Sequence, residues 1–387
     1  MKDVVITAGT AVGSVLALAE AITTKTGCKA YVLCTDKKAS KILASSRFID
    51  DVVFIPMGSE QEYIAEIQRW YKKAQFKENP ILYFTTDTTC FYIDNHRAWF
   101  ENNFNLCLPS SEIVQQFTQK GLAEIKAVEA GLMVPKTKVI VNSDDIESIL
   151  ISFKFPVILK PRATYLKQGL DFKIKVIHNK NDFTLFVNKH VKNKNTLLCQ
   201  EFIPGSDDTS YYYLFYRSKG GNIFENMGRK TLQSTSEGGI MLKGISEFNQ
   251  DLSCICKDFL NNINYQGIGG IEFKKHSDQF YFIEMSVRLE GFFKLSEIAK
   301  TPLGLISYYD IAEENIPSNI NKSKQKDGYI YIDYVSTLVN HIKNRALIHV
   351  ITDSLNIMFN PKVKLNVFSI RDYKPFGLQV SNLFGRK

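Results

Sequence analysis

Short β-rich runs alternate with helical stretches through the first hundred residues, and this alternation most constrains the fold. The runs lie at residues 4–7, 30–34, 52–55 and 81–84, with helical patterns near residues 13–26 and 60–75. Such a rhythm predicts a parallel sheet with helices on its faces, because a crossover is needed to bring each strand back in the same direction. Ligands of open α/β sheets gather beyond the carboxyl ends of the strands, which singles out two segments. The loop Thr7-Ala8-Gly9-Thr10-Ala11-Val12-Gly13-Ser14 leaves the first strand and opens the first helix, where backbone N–H groups can receive an anion. It lacks full G-x-G-x-x-G spacing, so a tight turn is the competing reading. Thr85-Thr86-Asp87 follows the fourth run as a candidate substrate contact, or as an ordinary turn and helix cap.

Helical patterns near 111–120 and 122–130 come next, the second closed by Gly131 and Pro135. The rhythm then changes. Runs at 156–160, 173–177, 196–202, 211–216, 223–232, 267–273 and 279–286 include hairpin-like neighbours, which predicts mixed or antiparallel sheet around a few helices. A Ser-, Asn- and Lys-rich linker at 317–327 sets off a smaller C-terminal region.

Two segments carry chemistry. Phe155-Pro156-Val157-Ile158-Leu159 reads as a buried strand that delivers Lys160 at its end. An ammonium leaving a buried strand needs an anion, either a phosphate or an ordinary salt-bridge partner. The stretch Gly267–Arg288 reads as a hairpin turning near His276, so Glu272 falls opposite residues close to Glu284. Period-two alternation puts Glu284, Ser286 and Arg288 on one face if the strand stays extended. Two carboxylates and a hydroxyl form a hard-oxygen cluster suited to Mg²⁺ with a triphosphate, and Arg288 beside it can brace developing negative charge. Cross-strand pairing with Lys274 or Lys275 is the alternative.

Composition excludes several classes. The 387 residues are 44% apolar and 23% charged, enough for two or three packed units. No stretch approaches the roughly 18 apolar residues of a membrane span. Seven scattered cysteines, the closest pair a C-x-C, support neither a disulfide framework nor a zinc site. With no signal-peptide pattern in the first residues, a reducing cytoplasm is expected. Net charge is +8, and residues 321–387 hold eleven Lys or Arg against four Asp, or +7 of it. Such a segment can face nucleic acid, an anionic membrane or an acidic substrate, or simply water. No RNA-binding motif accompanies it, so no nucleic-acid partner is expected. Within it Val335, Leu338, Val339, Ile342 and Ala346 recur at helical spacing, which predicts a face packed on the body with Lys343 and Arg345 solvated.

Lys160 in F-P-V-I-L-K-P, Q-E-F-I-P-G at 200–205, I-E-F at 271–273 and I-E-M-S-V-R-L at 283–289 occur in the order and approximate spacing of the ATP-grasp superfamily, which the chain resembles. The last segment is similar to the E-x-N-x-R magnesium motif of carbamoyl phosphate synthetase and biotin carboxylase. S-S-R-F-I-D-D-V-V, Thr85-Thr86-Asp87, Leu108-Pro109-Ser110-Ser111 and Gly228-Arg229-Lys230 look closer to the bacterial carboxylate–amine ligases that include D-aspartate ligase. The resemblance implies a Rossmann-like domain at 1–110, ATP-grasp subdomains at 111–195 and 196–316, and a basic extension at 317–387. It implies that Lys120 and Lys160 meet ATP phosphates, that Gln200, Glu201, Phe202 and Ile203 line adenine, and that Asp207 meets ribose, with Asp208 adjacent. Glu272, Glu284 and Ser286 would hold Mg²⁺, for which Mn²⁺ can substitute, and Arg288 would contact phosphate and acyl phosphate. Arg229 and Lys230 would bind substrate or phosphate, and a Gly238-Gly239 loop would help close the site. Two departures stand out: Ser286 replaces the usual Asn, and the loop 162–169 after Lys160 holds one glycine.

The implied activity is ATP-dependent joining of a small-molecule carboxylate and an amine, one of them an amino acid, through an acyl phosphate with release of ADP and phosphate. Cell-wall or surface-polysaccharide modification is the implied setting, with an anionic cell-envelope precursor as acceptor; a homodimer is compatible with it. A nucleotide-binding regulator with a decayed site is the alternative, drawn from Ser286, and a nucleic-acid binder using the basic extension is another.

Overall fold

The computed structural model describes residues 1–118, 122–161, 172, 174–191, 196–235 and 239–384. Lys120, Gly238 and the loop 162–169 lie outside the described residues.

The first sheet is parallel and contains β1 (Val4–Ala8), β2 (Ala30–Cys34), β3 (Asp51–Phe54), β4 (Ile81–Phe84) and β5 (Asn105–Leu106). Its order is β3-β2-β1-β4-β5. Strands β1 and β4 are buried along their whole length, as apolar runs covered by helices on both faces should be. The order reverses between β1 and β4, which makes the crevice beyond their ends the switch point of the sheet.

Four antiparallel strands form a small second sheet: β6 (Thr137–Ile140), β7 (Val157–Pro161), β8 (Lys175–Ile177) and β9 (Leu197–Glu201), in the order β6-β9-β7-β8. Ile149 from one covering helix and Phe183 and Val187 from another pack with Val157 and Leu159 into a core of their own.

The third sheet is the largest. It comprises β10 (Ser210–Arg217), β11 (Ile223–Gln233), β12 (Met241–Ser246), β13 (Gly267–His276), β14 (Gln279–Ser286), β15 (Ile330–Ile332) and β16 (Val363–Leu365). The order is β14-β13-β10-β11-β12-β15-β16, antiparallel except at β15–β16. Alternation along β10 sends Tyr213 and Phe215 to one core and Tyr212, Leu214 and Tyr216 to another. Both cores also contain side chains of the first sheet, so the two sheets pack as one body. This packing brings the end of β14 to the switch point: Leu289 N donates to Phe84 O at 3.0 Å, and Ser14 Oγ donates to Glu290 O at 2.6 Å. Ser14, in the first turn of the helix Val12–Thr26, therefore anchors the chain beyond β14; of the expected Thr7–Ser14 loop only residues 9–11 lie between strand and helix.

Residues beyond 317 return to the large sheet through β15 and β16. Here the expected packing face is corrected. In the helix Tyr334–Lys343, Val339 and Ile342 are exposed while Thr337 and His341 are buried. Polar partners draw that face inward. Thr337 Oγ1 donates to Leu242 O, and His341 Nε2 lies 3.0 Å from Asp353 Oδ2, which also pairs with Lys243. Lys343 and Arg345 are solvated, as the spacing predicts.

Candidate active site

The β13–β14 hairpin turns through Ser277 and Asp278, both with positive φ, in the two-residue turn whose twist matches that of paired strands. Register runs evenly from His276–Gln279 to Phe273–Phe282, then shifts so that Glu272 pairs with Glu284. Ile283 is the extra residue. An unbroken register would set Glu272 opposite Ile283 and leave Glu284 beside Ile271, on the face that carries the apolar core. The bulge re-aims Glu284, and the two carboxylates share a face, with their Cβ atoms about 5 Å apart.

A third carboxylate, which sequence reasoning missed, joins them. Glu290 folds back over β13, where a Cβ at Gly270 would lie 2.7 Å from Glu290 Cγ, so the close approach needs glycine. Ser286, paired with Gly270, is buried at the same edge. Lys230 enters the cluster from β11, its ammonium 2.6 Å from Glu272 Oε2 and only 3% exposed. Burial raises the pKa of Glu272, and the charges of Glu284 and Glu290 raise it further, against the opposing pull of Lys230.

Arg288 lies just past the end of β14, in a loop. Its Nε donates to Asp87 Oδ1 at 2.7 Å and Nη2 to Oδ2 at 3.4 Å, while Nη1 lies 3.4 Å from Glu290 Oε2. Burial disfavours its charge, but Asp87 and Glu290 outweigh that and hold the guanidinium protonated. Asp87 begins the helix Asp87–Asn95, capped by Thr86. The switch point of the first sheet and the acidic face of the third are thus joined by one fork-shaped ion pair.

Asp207 and Asp208 separate cleanly. Asp207 accepts from Gln233 N at 2.8 Å and from Gln233 Nε2 at 3.1 Å, on the side of Lys230. Asp208 accepts from Ser206 Oγ and lies 3.6 Å from Arg229. Arg229 and Lys230, both expected to bind substrate or phosphate, lie on opposite faces of β11. Neighbouring residues of a strand point to opposite faces, and Arg229 donates to Glu247 at 2.8 Å on the other side of β11.

On the small sheet, Lys160 is buried and its Nζ lies 3.6 Å from Glu124 Oε1, so the salt-bridge alternative is realised in this structure. Register pairs Lys160 with Leu198 and Ile158 with Gln200, which puts Lys160 and Gln200 on one face. Gln200 Nε2 donates to Thr137 Oγ1 at 3.1 Å. Glu201 is exposed, Phe202 half-buried and Ile203 buried where the chain leaves β9. That exit is pinned to the acidic face: Lys274, two residues along β13 from Glu272, donates to Gly205 O at 3.0 Å and Ser206 O at 2.8 Å.

Glu272 and Glu290, with Glu284 beside Glu272, therefore meet Lys230 and Arg288, while Asp87 holds the guanidinium and Asp207 reaches Lys230 through Gln233. This donor set fits a hard divalent cation. No group of three His, Cys, Asp or Glu side chains among the described residues is arranged to hold a metal alone. Mg²⁺ needs only one or two carboxylates, with water and phosphate oxygens completing its shell.

No protein-family model matches the chain. It is similar to the ADP complex of N5-carboxyaminoimidazole ribonucleotide synthetase, with a TM-score of 0.64 at 14% identity over 85% of this chain and 80% of that one. The biotin carboxylase–β,γ-ATP complex from Campylobacter jejuni matches with a TM-score of 0.64 at 17% identity, over 84% of this chain and 74% of that one. L-amino acid ligase from Bacillus licheniformis matches with a TM-score of 0.61 at 12% identity, over 84% of this chain and 75% of that one. In sequence, 64 residues are 36% identical to D-alanine–D-alanine ligase of Petrotoga mobilis, covering 16% of this chain and 20% of that ligase's length. The architecture is the ATP-grasp fold. The structural likenesses, at 12–17% identity, carry that fold across different chemistries, and the substrate must be read from the site.

Proposed function

We propose that the chain is an ATP-dependent carboxylate–amine ligase that works through an acyl phosphate and releases ADP and orthophosphate. The observation that carries this reading is the Ile283 bulge, which sets Glu272 and Glu284 on one face within reach of Lys230. Residues 111–195 and 196–316 act as the two ATP-clasping subdomains, residues 1–110 as the substrate domain and residues 317–387 as the extension. Lys160, with Lys120, binds ATP phosphates after Lys160 exchanges Glu124 for phosphate oxygens. Gln200 through Ile203 receive adenine, and Asp207 the ribose. Glu272 and Glu284 hold Mg²⁺, with Ser286 contributing through its shorter hydroxyl. When bound, this ion neutralises charge on the triphosphate.

Lys230 and Arg288 act on the reacting groups. A substrate carboxylate oxygen forms a bond to the γ-phosphorus as the bond to the ADP oxygen breaks, and Lys230 and Arg288 stabilise the charge on the phosphoryl oxygens. The amine then attacks the acyl carbon, orthophosphate leaves with the bonding pair, and the nitrogen loses a proton to give the amide. Asp87 aims the Arg288 fork at the switch-point crevice, where the substrate carboxylate is bound. An amino acid is the proposed partner on one side and an anionic cell-envelope precursor on the other; the positive excess of residues 321–387 supports the latter.

A screen of amino acids, uronic acids and sugar nucleotides for coupled phosphate release tests this. ADP and orthophosphate should form in step with the amide. AMP and pyrophosphate as products would contradict the reading. ATP binding without any turnover would favour the second reading, a regulator whose site has decayed at Ser286.

A further inference from the structure

The helix Leu347–Phe359 buries none of its residues. Leu347, Ile348, Ile351, Leu355, Met358 and Phe359 are each between 49% and 75% exposed. At 100° per residue these six fall within an arc of about 120°, so the outward face is continuously apolar. Its one charged residue, Asp353, turns inward to Lys243 and His341. Exposed cations stand at both ends: Lys343 and Arg345 before the helix, Lys362 and Lys364 after it.

Two of the other three acids of the extension are also engaged: Asp333 caps the helix Tyr334–Lys343, and buried Asp372 accepts from Ser46 Oγ and Arg47 N. The third, Asp327, is exposed and accepts from Phe248 N. An outward helix face of apolar side chains flanked by cations, with Asp353 withdrawn from it, has the chemistry of an interfacial helix.

We propose that this face seats the protein on an anionic lipid bilayer surface, with the six apolar side chains in the headgroup–acyl boundary and the flanking cations on lipid phosphates. Charge selects this occupant over a second copy of the chain, since pairing two such faces would bring like-charged flanks together, whereas anionic lipid neutralises them. The contact is peripheral. No helix among the described residues is long and apolar enough to cross a membrane, and 13 residues span only about 20 Å. The inference stands independently of the ligase chemistry, since none of these residues touches the acidic cluster.

Co-sedimentation of the full chain with vesicles tests it, comparing phosphatidylcholine alone with phosphatidylcholine containing about a third phosphatidylglycerol. Binding to the mixed vesicles should exceed binding to the neutral ones by at least about tenfold and weaken as salt is added. Ile348→Asn with Phe359→Asn should abolish binding without lowering Tm, since both side chains are already in water. Lys362→Glu with Lys364→Glu should reduce it by about tenfold or more. Equal binding of both vesicle types, or none, would overturn the proposal. So would a dimer in sedimentation velocity that the Ile348/Phe359 variant dissociates while vesicle binding is absent.

Discussion

Glu272→Gln is expected to lower turnover by at least about 100-fold while leaving the protein folded, because it removes one charge of the carboxylate pair proposed to hold the metal–nucleotide. The substitution also deprives buried Lys230 of its ionic partner, although the Gln carbonyl can still accept its hydrogen bond. A loss of stability, below about 3 kcal/mol, should accompany the change. Glu284→Gln leaves the Lys230–Glu272 pair in place and separates the two effects. It should show the activity loss with a smaller change in Tm. Steady-state kinetics and thermal melts on both variants make the measurement. Wild-type turnover in either folded variant would move the metal site elsewhere.

Arg288→Lys keeps the positive charge but loses the fork, and is expected to lower kcat by about 100-fold or more. In this structure the fork lies on Asp87, so a purely architectural role must be distinguished from contact with the reacting groups. Asp87→Asn provides the comparison. If Arg288 touches the acyl phosphate, Arg288→Lys lowers kcat far more than Asp87→Asn, while the two shift Tm by similar amounts. Equal losses in both parameters would make Arg288 only a clamp between the first and third sheets.

Much of this site is legible in the sequence because it rests on local rules. The Gly267–Ser286 hairpin announces itself by apolar runs around a polar turn, and counting outward from His276 brings Glu272 near Glu284. The Ile283 bulge is not legible, since nothing in Phe282-Ile283-Glu284 marks an extra residue; yet the bulge decides which face Glu284 takes. Glu290 and the Asp87–Arg288 pair are hidden for another reason. Each depends on where a loop meets a sheet far away in the sequence, and only the shared cores of the first and third sheets determine that. That Arg229 and Lys230 face opposite sides of β11 is a strand effect, since neighbouring residues of a strand point to opposite faces. A small residue, Gly270, was the available signal for Glu290, since a glycine within a strand marks a close approach. In the extension, β15 and β16 are three residues each, too short for a periodic pattern, and the apolar stretch 347–359 suggests burial that the structure does not provide.

In the proposed reaction the substrate carboxylate oxygen bonds to the γ-phosphorus of ATP, whereas an adenylating ligase would bond it to the α-phosphorus. With the acid identified by the screen and labelled with ¹⁸O in its carboxylate, mass spectrometry of the orthophosphate follows that oxygen directly. Acyl-phosphate chemistry at Glu272, Glu284, Lys230 and Arg288 predicts one ¹⁸O atom in each orthophosphate released with the amide. Unlabelled orthophosphate, or label in AMP, would contradict it.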